Sequence, residues 1–132
     1  MGFLAVIVAG IGGFMFGAVW YTLFAKPWMA ASGVALNEAG DAPANRADPV
    51  PYITSIVGAI FVAGMMRHVF VLSGIDTFME GVVSAFGIGL FFVSPWIATF
   101  YAFGGRPFRL TLIDCGYATF GCTVIGAVLM LF

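Results

Sequence analysis

Long runs of apolar residues, separated by short polar stretches, dominate this chain. A transmembrane helix needs about 20 such residues, and each of these runs is long enough: Phe3 to Phe24, Tyr52 to about Gly74, about Asp76 to Phe103, and about Phe108 to Phe132. The hydrophilic stretch from Asn37 to Pro51 is rich in proline and small polar residues, which is typical of a flexible loop. The pattern predicts one all-α membrane domain over residues 1–132, with four transmembrane helices and a loop at about 25–51.

The remaining connections are short, and short connections join helices into antiparallel hairpins, so we expect an antiparallel bundle. Pro95 lies inside the third run and predicts a kink there. "FAKPW" after the first run resembles "FGGRPF" after the third, which suggests two parallel repeats of two helices. The alternative is that any helix exit from a membrane favours such residues.

Composition supports the bilayer. Of 132 residues, 62% are hydrophobic and 8% are charged, against about a quarter charged in soluble domains. That is too little charge to cover a water-facing surface of this size. The net charge of -1 provides no basic surface for nucleic acid.

Basic residues predict the orientation. They are concentrated in the first and third loops, which the positive-inside rule places in the cytoplasm, with both termini outside. Pro27 is expected to remove Lys26 from helical geometry. The aromatic and basic residues at these loops are predicted to anchor the helices at the membrane interface: Trp20, Tyr21, Lys26, Trp28, Arg106 and Arg109.

Each run contains small residues at four-residue spacing, which lets helix backbones approach closely in lipid. These series are Ala5, Ala9, Gly13 and Gly17; Ser55, Ala59 and Ala63; Gly81, Ala85 and Gly89; and Ala118, Cys122 and Gly126. Since residues four apart share a helix face, Arg67 and Asp114 continue two of the series and should face protein. We expect Arg67 to pair with Glu80 across the second hairpin; the alternative is that Arg67 reaches the interface by itself.

Asp114 has two interpretations. As a structural acid it ties the third and fourth helices to the first near Lys26. As a functional acid it is the titrating group of a transport pathway, because acids inside membranes are functional candidates. The hydroxyl groups expected to donate to it are those of Tyr21, Tyr101 and Thr99.

Other chemistry has less support. His68 is the single histidine and the candidate ligand of a pigment or haem, although an interfacial histidine is more often a polar tip. Cys115 and Cys122 are seven residues apart on one helix, about 10 Å, and cannot bridge each other. Neither a nucleophilic triad nor a metal-ligand set is apparent, so we predict no enzyme, no catalytic residue and no metal site. No cofactor is predicted, with a pigment, haem or lipid as the alternative.

"GAVWYTLFAKPWMAASG" and "RPFRLTLIDCGYATFGCTVIGAVL" resemble two segments of a bacterial family of small four-span membrane proteins, domain of unknown function 1761. The residues that carry the resemblance are Trp20, Tyr21, Lys26, Trp28, Arg106, Pro107, Asp114, Gly116 and Tyr117. The resemblance implies four helices and the bacterial cytoplasmic membrane, and it implies no activity. The 37–51 loop and His68 are not features of the family.

Two functions remain open. The first is a non-catalytic accessory subunit that packs against a larger membrane complex of respiratory or photosynthetic type, with pigment binding as a variant. The alternative is a small proton-coupled or substrate transporter that acts as a homo-oligomer, with Asp114 as its titrating group. Four short helices leave little room for a pathway within one monomer, which favours the accessory subunit.

Overall fold

The computed structural model describes residues 2–132, and helices dominate that range. In chain order they are α1 (Gly2–Leu23), α2 (Ala25–Ser32), α3 (Pro49–Leu72), α4 (Phe78–Ile88), α5 (Ser94–Phe103) and α6 (Phe108–Leu129). A π-helical turn, Gly89–Val93, joins α4 to α5, so that Phe78–Phe103 is one continuous span. Together with α1, α3 and α6 it makes four helices long and apolar enough to cross a membrane. The predicted all-α class with four candidate spans is therefore confirmed.

Local signals explain where the spans begin and end. Asp48 caps α3 by accepting from the backbone N–H of Val50, and proline occupies the first turn. Thr77 and Glu80 form a reciprocal capping box at the start of α4. The turns before α4 and α6 need a positive φ, supplied by Gly74 at 69° and Gly105 at 68°.

The region after α1 differs from the prediction. Phe24, at φ -104° and ψ 20°, breaks the helix, and the chain becomes helical again at Ala25. Lys26 and Pro27 lie in the first turn of α2, where proline is tolerated because the first N–H groups need no helical partner. The expectation that Pro27 removes Lys26 from helical geometry is therefore wrong, and residues 25–32 are helix where a loop was predicted.

The last span, α6, is the centre of the fold. It packs against α1, α3 and both halves of the third span, and α3 packs mainly against α1. Along α1 the residue numbers rise as those along α3 fall: Gly2 lies beside Arg67, Gly64 beside Val6, and Gly10 beside Ile60. A Cβ on Gly10 would lie 2.8 Å from the Ile60 Cα, so these two backbones are in direct contact.

Most of the small-residue series face protein. All members are buried in α1 and in the third span, whereas in α6 Ala118 is half-buried while Cys122 and Gly126 are buried. In α3 Ala59 and Ala63 are buried, but Ser55 is exposed. The α3 residues that contact α1, namely Ala59, Ile60, Gly64 and Arg67, all lie further along the helix than Ser55.

The predicted kink at Pro95 stays a prediction, and the structure shows a π-helical turn directly before it. Since Pro95 has no N–H, the helical hydrogen bonds cannot continue through it. Instead the Ser94 N–H and its hydroxyl both donate to the carbonyl of Gly89, the hydroxyl at 2.7 Å. A Cβ on Gly89 would lie 2.6 Å from the Thr119 Cα, so only glycine fits against α6 here.

The expected pair of Arg67 with Glu80 is wrong. Glu80 is exposed, and its carboxylate accepts from the backbone N–H groups of Asp76 at 3.2 Å and Thr77 at 3.3 Å. The guanidinium of Arg67 instead lies beside Gly2, at the start of α1. The pair is not among the contacts of residues 2–132, and the capping box engages only the Oε2 atom of Glu80.

Candidate functional site around Asp114

Two tyrosine hydroxyls meet at the carboxylate of Asp114. Tyr21 on α1 donates to Oδ1 and Tyr101 on α5 donates to Oδ2, each at 2.6 Å. These three residues, the Asp114 cluster, connect α1, α5 and α6 through one half-buried side chain. Thr99 was also expected to donate to Asp114, but its hydroxyl donates to the carbonyl of Pro95 in its own helix.

Aromatic rings hold Tyr21 in place. Its ring lies edge-on to Tyr117 at 5.4 Å and to Trp28 at 6.1 Å between centroids. The Tyr117 hydroxyl donates to the carbonyl of Gly13 at 3.0 Å. A Cβ on Gly17 would lie 2.8 Å from the Tyr117 ring, so the small residues of α1 make the space that these rings occupy.

Trp20 makes a second connection between α1 and α6. Its indole N–H donates to the carbonyl of Ile113 at 3.0 Å, and its ring lies against Gly116. An indole N–H that is removed from water needs such an acceptor. The structure thus directs Trp20 and Tyr21 toward α6, and their predicted role as interfacial anchors stays a prediction.

One cation contacts a partner of Asp114. Arg106 lies over the ring of Tyr101, 5.8 Å from its centroid, and donates to the carbonyl of Ser32 at the end of α2. The side chains of Lys26 and Arg109 are exposed. Arg106 therefore fixes α2 and Tyr101 relative to each other, and the carboxylate receives its hydrogen bonds from uncharged hydroxyls.

Three other polar residues that the sequence indicated lie far from Asp114. Arg67, His68 and Glu80 are at the opposite end of the fold, where Gly81 meets Met130 at the far end of α6. His68 is exposed on α3. The structure therefore brings the predicted residues Trp20, Tyr21, Trp28, Arg106 and Asp114 together and separates Arg67, His68 and Glu80 from them.

Sequence reasoning missed a second polar group, beside the π-helical turn. The buried Ser94 hydroxyl lies 3.2 Å from the Thr119 hydroxyl and 3.3 Å from the carbonyl of Cys115. The Cys115 thiol donates to the carbonyl of Ser94 at 3.4 Å. The available signal was a serine directly before a proline inside an apolar span. Proline has no backbone N–H, so the hydrogen bonds around it are disturbed and a neighbouring hydroxyl can replace them.

The arrangement limits the chemistry at the Asp114 cluster. Within residues 2–132 no three His, Cys, Asp or Glu side chains come together. A carboxylate that accepts one hydroxyl on each oxygen can hold helices together, and it can also take up a proton, since each of its oxygens has a further lone pair.

The two segments used for the family resemblance meet at this site, because Tyr21 contacts Asp114 and Trp20 contacts Gly116. The model of a protein family matches residues 4–130, and the family is described as protein of unknown function (DUF1761). Comparison with curated proteins and with solved structures gives no match.

Proposed function

Since this chain belongs to the DUF1761 family, whose function is unknown, we propose its role from its own geometry: a non-catalytic accessory subunit that packs against a larger membrane complex of respiratory or photosynthetic type. The observation that carries the proposal is the Asp114 cluster. Both carboxylate oxygens accept from tyrosines of neighbouring helices, so the Asp114 carboxylate stabilises the fold itself. A subunit that supports a complex needs such a rigid body and no reacting group.

The packing around α6 supports the same role. The third span packs mainly against α6, while α3 packs against α1 and α6. The spans thus form an open arrangement around α6, in which large apolar side chains such as Phe61, Phe91 and Phe103 face outward. Such surfaces are available to lipid and to neighbouring membrane proteins.

The proposed location is the bacterial cytoplasmic membrane, with both termini extracytoplasmic. The basic residues Lys26, Arg46, Arg106 and Arg109 support this orientation. A cysteine placed at position 45, after removal of Cys115 and Cys122, should resist impermeant reagents in intact cells. Labelling of that cysteine would contradict the orientation.

Purification from the native membrane tests the accessory role. We expect the tagged protein, extracted in a mild detergent, to migrate with a complex several times its own mass. Asp114→Ala loosens the cluster and should weaken that co-migration, whereas Ser55→Ala, at an exposed position of α3, should leave it unchanged. A lone dimer in every mild detergent would contradict the role, and a visible absorption band would favour pigment binding.

A proton-coupled transporter is the second candidate, favoured by the position of Asp114 between two hydroxyl groups that can pass a proton. Asp114→Asn separates the two functions, because an amide keeps the shape and an acceptor oxygen but binds no proton. The accessory role predicts a modest loss of stability with assembly intact. The transporter predicts unchanged folding and no proton-coupled flux in proteoliposomes.

A further inference from the structure

A lateral groove opens between the end of α3 and the start of the third span, at the end of the fold opposite to Asp114. Its outer part, about 400 Å³, is lined by residues such as Ser73, Glu80 and Ser84. Its inner part, about 510 Å³, continues along Phe70, Gly87 and Phe91. The two parts share Ser73, Ile75 and Ser84, so they form one continuous groove.

The polarity of the groove changes along its length. Ser73 and Ser84 line both parts, but the carboxylate of Glu80 and the turn at Gly74 line only the outer part, and phenylalanine side chains line only the inner part. The change follows the depth of a bilayer, from the interface to the hydrocarbon region. A ligand that matches it is polar at one end and apolar along the rest.

The length of the groove matches one leaflet. Met79 and Phe92 mark its two ends along the third span, thirteen residues apart, or about 20 Å of helix. Half of the hydrocarbon core is about 15 Å. This length accommodates one acyl chain of a lipid in that leaflet.

Charge identifies the head of the ligand. Among the described residues that line the groove, Glu80 is the one charged side chain at neutral pH. Both of its capping hydrogen bonds use Oε2, which leaves Oε1 able to accept from a ligand. A primary ammonium group complements this carboxylate in charge and supplies N–H donors.

We propose that the lateral groove binds one phospholipid with a primary-amine headgroup, of the phosphatidylethanolamine class, from the leaflet at this face. Its ammonium group donates to Glu80, and one acyl chain lies along Phe70 and Phe91. The site is independent of the proposed accessory role, because lipid binding is measured on the isolated protein and the accessory role on native complexes.

Gly87 offers a clean test of occupancy. Nothing lies within 4 Å of the position that its Cβ would take, so Gly87→Leu can place an apolar side chain in the groove. Gly58 on α3 has the same free space and does not line the groove, so Gly58→Leu is the matched control. Both changes raise helix propensity.

The measurement is native mass spectrometry of protein released from nanodiscs that contain equal amounts of phosphatidylethanolamine, phosphatidylcholine and phosphatidylglycerol. We expect wild type and Gly58→Leu to retain one phosphatidylethanolamine. Gly87→Leu should bind this lipid about tenfold more weakly, which corresponds to about 1.4 kcal/mol of lost binding energy. Equal retention by Gly87→Leu and Gly58→Leu would overturn the proposal. A second copy of the chain, present in wild type and lost in Gly87→Leu, would overturn it as well.

Glu80→Gln tests the headgroup. Glutamine can still complete the capping box, but the charge is lost. We expect an about tenfold preference for phosphatidylethanolamine over phosphatidylcholine, which has no N–H donor, to disappear in this variant. Asp76→Asn, at a nearby acid that does not line the groove, should keep the preference. A preference that survives Glu80→Gln, or a wild-type preference for phosphatidylglycerol, would refute the assignment of the ammonium group.

Discussion

The two halves of α6 associate with their neighbours by different means. The first half, around Asp114, is joined to α1 and α5 by hydrogen bonds from Tyr21, Tyr101 and Trp20. The second half is joined to α4 through close contacts of small residues, with Gly126 against Ala85. In lipid, where apolar side chains gain little by leaving the solvent, these are the two available ways to hold helices together.

The difference follows the position along α6. Asp114 lies within the first two turns of the helix, where its carboxylate accepts from tyrosine hydroxyls. Further along α6 close backbone packing replaces them, and the hydroxyls of Ser94, Thr119 and Thr123 there are satisfied by each other or by carbonyls. Substitutions that add volume should therefore lower the free energy of unfolding most in the second half, and substitutions that remove a hydrogen-bond acceptor should lower it most in the first half.

The largest effect is expected from Gly89→Ala. Its new methyl group would lie 2.6 Å from the Thr119 Cα, and neither backbone can yield cheaply, so we expect a loss of about 2 to 3 kcal/mol in the free energy of unfolding. Gly87→Ala, two residues away with free space around it, should change that free energy by less than about 0.5 kcal/mol. Unfolding in mixed detergent micelles measures both. Similar values for the two variants would mean that close packing does not hold this half together.

Asp114→Ala comes next. It leaves the hydroxyls of Tyr21 and Tyr101 without their acceptor, and we expect a loss of about 2 kcal/mol. Asp114→Asn keeps an acceptor oxygen and should lose only about 1 kcal/mol. The same unfolding assay compares the two variants. An Asn variant as unstable as the Ala variant would show that the charge, and not the acceptor, is what the tyrosines require.

Tyr21→Phe should cost about 1 kcal/mol, since it removes one hydrogen bond and keeps the ring against Tyr117 and Trp28. In Asp114→Ala the same tyrosine change should cost less, because the hydroxyl has already lost its acceptor. A double-mutant cycle measures this coupling. Equal costs in the two backgrounds would contradict the hydrogen bond.

The smallest effect concerns the charges at the other end of α6. Because Arg67 lies beside Gly2 and Glu80 caps α4, their coupling in the cycle of Arg67→Met and Glu80→Gln should stay below about 0.5 kcal/mol. Thermal unfolding of the two single variants and the double variant measures it. A coupling of several kcal/mol would show that the two residues do form an ion pair. Polar interactions would then stabilise both ends of the fold, and the contrast between the two halves of α6 would not hold.

The sequence predicted the spans well because their signal is local. Apolar runs and small-residue spacing are read directly from the chain, and the four candidate spans follow from them. The meeting of Asp114 with Tyr21 and Tyr101 was partly predictable, since the small-residue series indicated which face of α6 is packed. Which hydroxyls reach the carboxylate depends on the rotation of each helix about its axis. Thr99 was a candidate donor, but its hydroxyl donates to a carbonyl of its own helix.

Other features were not predictable in this way. The same carboxylate of Glu80 suits an ion pair and a capping box, and the choice depends on where α4 begins. The lateral groove depends on how far α3 and the third span lie apart, a quantity that no single segment encodes. Both cases require the three-dimensional arrangement before the residue types can be interpreted.

The π-helical turn also sets the rotational phase of the third span. Gly89 and Ser94 both face α6 although they are five residues apart, a spacing that would place them about 140° apart on a regular α-helix. The turn absorbs one residue, so the half-span after it keeps the orientation that brings Tyr101 to Asp114. A chain shortened by one residue within 90–93 would thus present the same two faces without the π-helical turn, whereas regularising the turn at full length would rotate α5 by about 100° and carry the tyrosine away from the acid.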